Sequence, residues 1–183
     1  MRHLPNLICL IRIALIWPIA AALAAREYQL ALWLFGAAAV SDGLDGYLAK
    51  RFNWTSELGK ILDPLADKLL LVTVFVELAW LEIIPWWLSA AVVARDVMIG
   101  LGALTFRVWF GPLRGRPTVL SKINTAVQLL YVLLVTLNGA MPDLPLHDML
   151  AAGVALTLIT TVLSGLHYIV SFTRRAWTPI RST

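Results

Sequence analysis

The chain has 183 residues, of which 60% are hydrophobic and 14% charged, with mean hydropathy +0.78 and a formal net charge of +4. A soluble domain is nearer half apolar and a quarter charged, so this composition excludes a soluble globular enzyme, a nucleic-acid-binding module and a disordered chain. The single cysteine, Cys9, excludes an intramolecular disulfide framework and a cysteine-based zinc site.

Six apolar stretches follow one another, at residues 7–25, 28–48, 61–81, 86–106, 119–139 and 148–172. Each is long enough to cross the roughly 30 Å hydrocarbon core as a helix. The expected fold is therefore an all-α integral membrane protein of six transmembrane helices, one membrane domain over residues 1–183. The first stretch has the charged start of a secretory signal, but Arg12 interrupts it, and it reads as a retained span. With a cytoplasmic N-terminus, the cytoplasmic side collects Arg2, Lys50, Arg51, Lys60, Arg107, Arg114, Arg116, Arg174, Arg175 and Arg181. The opposite side collects only Arg26. This bias sets both termini in the cytoplasm. No Arg-rich transit peptide is seen, so a bacterial inner (plasma) membrane is expected. Trp17, Trp33, Trp80, Trp86, Trp87 and Trp109 mostly lie near span ends, where interfacial anchoring accounts for them.

The second stretch carries Asp42 and Asp45, and the third carries Asp63 and Asp67. Spacings of three and four put each pair on one helix face. A charge at the membrane centre costs about 2.5–3.5 kcal/mol on insertion scales, so four carboxylates are expected to face one another or a wet cavity. The second span runs toward the cytoplasm and the third runs back, so all four meet at one height. By helix rise, that height is about 5–10 Å below the cytoplasmic surface. Clustered carboxylates repel and partly protonate, and hard divalent cations with oxygen ligands remove the conflict. Such ligands suit Mg²⁺, Mn²⁺ or Ca²⁺, and two ions held by carboxylates, Mg²⁺ or Mn²⁺ above all, suit displacement at phosphorus. The linker from Gly46 to Gly59 contains Lys50 and Arg51, placed to meet phosphate, and its glycines permit close approach.

Residues Asp42, Asp45, Gly46, Ala49, Lys50, Gly59, Asp63 and Asp67 together resemble the D-x2-D-G-x2-A-R-x8-G-x3-D-x3-D signature of the CDP-alcohol phosphatidyltransferases. Every spacing fits, and one position departs, with Lys50 where the family usually has Arg. The charge is kept but the bidentate fork is lost. The resemblance implies an enzyme that moves a phosphatidyl group from CDP-diacylglycerol to an alcohol and releases CMP. It implies Asp42, Asp45, Asp63 and Asp67 as metal ligands, with Asp67 also the base that takes the acceptor hydroxyl proton. Gly46, Lys50, Arg51 and Gly59 would hold the nucleotide diphosphate. It also implies a homodimer.

For the acceptor, Arg95 and Lys122 lie within spans and demand a partner or ligand, and Arg116 stands in the loop between them. These three cations are expected to hold an acceptor phosphate. The segments 94–98 and 116–129, with Asp96 and Asn124, resemble the cardiolipin-synthase branch of the family, which implies phosphatidylglycerol as acceptor. The phosphatidylglycerophosphate-synthase branch, with glycerol 3-phosphate as acceptor, is the alternative. A cation carrier using membrane carboxylates is the reading from another class, but it leaves Gly46, Gly59 and the cationic linker unexplained. Ala37 to Ala39, Gly100 and Gly102 suit close helix contacts.

Overall fold

The computed structural model describes the backbone of residues 4–52, 59–110 and 118–177, and the side chains of residues 10–41, 66–105 and 118–171. The described residues form six α-helices: α1 (Leu4–Ala24), α2 (Tyr28–Phe52), α3 (Gly59–Trp80), α4 (Trp86–Phe110), α5 (Val119–Ala140) and α6 (His147–Trp177). Each covers one of the six mainly apolar stretches, because a backbone that leaves water must satisfy its own hydrogen bonds. Among the described residues, the segments Trp86–Thr105, Val119–Ala140 and His147–Ser171 are long and apolar enough to cross a membrane.

Two breaks between helices share one device. α1 ends with the amide of Glu27 donating to the Ala22 carbonyl (2.8 Å) and that of Arg26 donating to Leu23 (2.9 Å). α3 ends with Ile83 donating to Leu78 (2.9 Å) and Glu82 donating to Ala79 (3.1 Å). Both are Schellman closures, which need one left-handed residue. Arg26 and Glu82 fill that place, each with φ of 59°. At the start of α5, the Thr118 hydroxyl accepts from the Ser121 amide (3.2 Å) and caps the first turn.

The helices group into two compact units. The first comprises residues 1–86 and 132–146. Here α1 packs against α2 and α3. Its core is apolar: Ile19, Ala22 and Leu23 from α1; Ala31, Phe35 and Ala38 from α2; Leu70, Leu71, Val74, Phe75 and Leu78 from α3. The i, i+4, i+7 spacing of Ala31, Phe35 and Ala38 is one helix face. Gly139 lies against the Tyr28 ring, and a Cβ there would stand 2.6–2.8 Å from three ring carbons.

The second unit comprises residues 87–131 and 147–183. Its interior is unusually polar. Leu88, Val92, Ile99 and Tyr131 are buried together with Ser89, Arg95, Asp96, Asn124, Gln128, Thr157, Thr161 and Ser164. α6 contributes a stripe of small and hydroxyl residues four apart: Gly153, Thr157, Thr161 and Gly165. A Cβ on Gly153 would stand 2.5 Å from the Tyr131 ring. Helices approach closely along such stripes, and hydroxyls bond across them. Gly100, expected at a close contact, instead has nothing within 4 Å of where its Cβ would be.

The outer surfaces carry what a soluble protein hides. Trp17 (81% exposed), Trp80 (83%), Leu130, Leu156, Leu163 and Leu166 are all open. Exposed apolar faces around buried polar groups suit a hydrocarbon solvent, in which packing and interhelical hydrogen bonds, rather than water exclusion, hold helices together.

Candidate functional site

The aspartate motif occupies the end of α2 and the first half of α3. Asp42 and Asp45 lie on α2, three residues apart, and Asp63 and Asp67 on α3, four apart. Each pair therefore shares a helix face, as the spacing requires. Gly59 is the first residue of α3. α2 continues to Phe52, so Lys50 and Arg51 ride on its last turn instead of lying in an extended linker. The helix continues through this stretch because Ala49-Lys50-Arg51 is good helix-forming sequence. The side chains of Asp42, Asp45, Lys50, Arg51 and Asp63 lie outside the described residues, as do the surroundings of Gly46 and Gly59 and the whole of Arg116.

Asp67 is the one motif carboxylate among the described side chains, and its surroundings are informative. It follows the buried Ala66 and continues the α3 face of Leu71, Val74 and Leu78. Arg12 lies on the α1 face of Ile19 and Leu23, which is the buried one. From there its Nη1 donates to Asp67 Oδ1 at 2.7 Å. The two ends of this ion pair differ sharply: the Arg12 side chain is 2% exposed and that of Asp67 is 46% exposed. The carboxylate is thus anchored from inside and reachable from outside. Arg12 is a charge within an apolar stretch and needs a partner such as a lipid phosphate or an aspartate. Its bond to Asp67 decides in favour of the aspartate.

As to metal, a half-exposed carboxylate oxygen on a helix face shared with Asp63 is a suitable hard donor for Mg²⁺ or Mn²⁺. Among the described residues no three His, Cys, Asp or Glu side chains converge on one point. Of the four motif carboxylates only Asp67 belongs to that set. The donor chemistry fits the expected ions.

The second unit holds the other group of interest. Arg95 on α4 pairs with its neighbour Asp96, Nη1 to Oδ1 at 2.6 Å. Its Nη2 donates to the hydroxyls of Ser121 on α5 (2.8 Å) and Ser164 on α6. One guanidinium therefore ties three helices together. Asp96 is bound to the residue beside it. Next along the same interface, the Thr161 hydroxyl donates to Asn124 Oδ1 (3.0 Å) and accepts from Gln128 Nε2 (3.3 Å). Lys122 follows Ser121 directly and is exposed. The three cations expected to bind the acceptor phosphate thus divide: Lys122 is open, Arg95 is engaged within the unit, and Arg116 is outside the described residues.

Sequence reasoning missed the hydroxyl partners of Arg95. Ser121 and Ser164 are ordinary residues in apolar stretches, and no spacing points to them.

Comparison with known proteins places this arrangement. A family model described as CDP-alcohol phosphatidyltransferase matches residues 2–172. The chain is 34% identical over 145 residues to the cardiolipin synthase (CMP-forming) of Homo sapiens, covering 70% of this chain and 48% of that one. It is 32% identical over 184 residues to a probable cardiolipin synthase (CMP-forming) of Drosophila melanogaster, covering 92% of this chain and 57% of the relative. It is 27% identical over 147 residues to a probable phosphatidylglycerophosphate synthase of Mycobacterium tuberculosis, covering 74% and 62% respectively. The chain spans about half the length of the first two of these relatives.

Proposed function

This chain belongs to the CDP-alcohol phosphatidyltransferase family, and on that premise we propose that it transfers the phosphatidyl group of CDP-diacylglycerol to phosphatidylglycerol, forming cardiolipin and releasing CMP. The observation that carries the reading is the complete aspartate pattern on α2 and α3, with Asp67 held by a buried arginine yet open at its carboxylate.

In this reading the acceptor hydroxyl oxygen forms a bond to the phosphatidyl phosphorus, and the bond from that phosphorus to the CMP oxygen breaks. The hydroxyl proton passes to Asp67, and CMP leaves with the bonding electron pair. A base within about 2.6–3.2 Å of the proton meets the geometric requirement. Asp42, Asp45, Asp63 and Asp67 would hold two Mg²⁺ or Mn²⁺ ions. When bound, these ions supply neutralisation of the diphosphate charge and stabilise the leaving group. Lys50 and Arg51, on the last turn of α2, would supply positive charge to the diphosphate, and Gly46 and Gly59 would allow the nucleotide to approach the backbone. Lys122, Arg116 and Arg95 meet the acceptor phosphate. Lys122 is the exposed member, and Arg95 fixes the α5 turn that carries it by bonding Ser121.

All six helices, of 21 to 31 residues, are long enough to span a bilayer. We assign six spans with both termini and the site on the cytoplasmic side of a bacterial inner membrane, because ten of eleven loop and terminal cations then lie inside. Acyl chains would remain in lipid while the cytidine stays wet. The working form is assigned as a homodimer.

The relative named phosphatidylglycerophosphate synthase supports a second acceptor, glycerol 3-phosphate. Purified protein with CDP-diacylglycerol and Mn²⁺ separates the two. Cardiolipin from phosphatidylglycerol alone supports the first reading. Phosphatidylglycerophosphate from glycerol 3-phosphate alone replaces it with the second. CMP release with neither acceptor present, or with neither preferred, removes the acceptor assignment.

A further inference from the structure

We infer that Arg12 is the positioning residue for Asp67, setting the direction of that carboxylate toward the acceptor hydroxyl. The inference rests on the reading of Asp67 as the base.

The unequal burial of the pair is the first ground. An ion pair kept for stability alone has little reason to leave one partner half in the open, because an exposed carboxylate solvates itself. Here the cation is enclosed (2% exposed) and the carboxylate is not (46%). The buried member is therefore the fixed end and the exposed member the part being held.

The second ground is the identity of the anchor. Arginine holds its donors in one rigid plane, which a lysine ammonium does not, and here one of them, Nη1, meets one carboxylate oxygen, Oδ1. The fork approaches from the α1 face that also buries Ile19 and Leu23, so its own position is set by core packing. A side chain on an open helix face otherwise samples several rotamers. The bond at 2.7 Å is short and charge-assisted, and it joins residues 55 apart in sequence. It therefore ties the geometry of the aspartate motif to a helix that carries no motif residue.

The expected consequence is kinetic. Misplacing a reacting group by about 1 Å can cost about 10²-fold in rate. Arg12→Gln should lower kcat by about 10²-fold, with KM for CDP-diacylglycerol changed less than about 3-fold. Arg12→Lys, which keeps the stem and the charge, should recover part of that loss at unchanged KM.

The test is a double-mutant cycle with Asp67→Asn in detergent-purified full chain, reading kcat, KM and equilibrium binding of Mn²⁺ with CMP. A positioning residue has nothing to position once Asp67 is lost, so Arg12→Gln should cost less than about 3-fold in the Asp67→Asn background and leave CMP binding as in wild type. An equal loss in both backgrounds overturns the proposal while leaving Asp67 as base. A rise in KM with kcat kept, or loss of CMP binding, also overturns it and makes Arg12 part of substrate binding. Wild-type turnover in Asp67→Asn removes the base assignment, and the proposal falls with it. Should Arg12→Gln fail to fold, Arg12→Lys carries the test, and an unchanged kcat there contradicts the need for the fork.

Discussion

The cluster around Arg95 makes a quantitative prediction about stability. Arg95→Met removes three interactions at once, those with Asp96, Ser121 and Ser164. The two serine hydroxyls can turn to a carbonyl on their own helix, but the carboxylate cannot discharge itself so easily. Both side chains of the pair are deeply buried, at 4% and 8% exposure. Removing one partner of a buried ion pair costs about 3–5 kcal/mol, mostly because the remaining buried charge loses its counter-ion. At about 1.4 kcal/mol per tenfold, that is a shift of roughly 10² to 10³ or more in the unfolding equilibrium. Removing the charge of Asp96, which has lost its Arg95 counter-ion, should return part of the loss. Arg95→Met with Asp96→Asn should therefore be more stable than Arg95→Met alone by at least about 1.5 kcal/mol. The measurement is reversible unfolding of the four cycle members in mixed detergent micelles. Additivity of the two substitutions within about 0.5 kcal/mol would refute the argument, because it would mean that the pair does not act as a unit.

Packing and turn geometry give further expectations. Gly139→Ala should destabilise the first unit by about 1–3 kcal/mol, since its Cβ would press on the base of the Tyr28 ring, which has little freedom to swing; thermal unfolding reads it. Glu82→Gly should raise the melting temperature, because glycine relieves the left-handed strain at φ 59°, worth about 1 kcal/mol, while Glu82→Val should lower it. Lys122→Gln should raise KM for the acceptor and leave KM for CDP-diacylglycerol nearly unchanged, read from initial rates with each substrate varied. Lys50→Arg should keep turnover and tighten binding of the nucleotide lipid, since a fork replaces a point charge.

The helices were legible because apolar length alone identifies a chain that must satisfy its backbone internally. Their ends were less so. α2 runs four residues past the apolar stretch, to Phe52, because Ala49, Lys50 and Arg51 favour helix although hydropathy falls. The aspartates could be found because charge in apolar sequence is costly and two spacings matched helix faces. The partner of Arg12 could not, since pairing between helices depends on their register, which periodicity along one helix does not contain. The same holds for Arg95: its depth marked it as needing a partner, but Ser121 and Ser164 look like any serines in an apolar run. The left-handed turns at Arg26 and Glu82 were hidden for another reason, since glycine or asparagine usually marks that conformation. Close contact at glycine was expected at Gly100, which faces open space, and is found at Gly139 and Gly153, which meet tyrosine rings.

The most direct test of the account is CMP release by the purified chain in vesicles containing CDP-diacylglycerol and phosphatidylglycerol, with and without Mn²⁺, for the wild-type chain and Asp63→Ala. The account predicts metal-dependent CMP release with cardiolipin formed in step, and no turnover by Asp63→Ala even at high Mn²⁺. Turnover by Asp63→Ala with its metal dependence intact would contradict the assignment of the aspartates, and no CMP from the wild-type chain with either acceptor would contradict the proposed reaction.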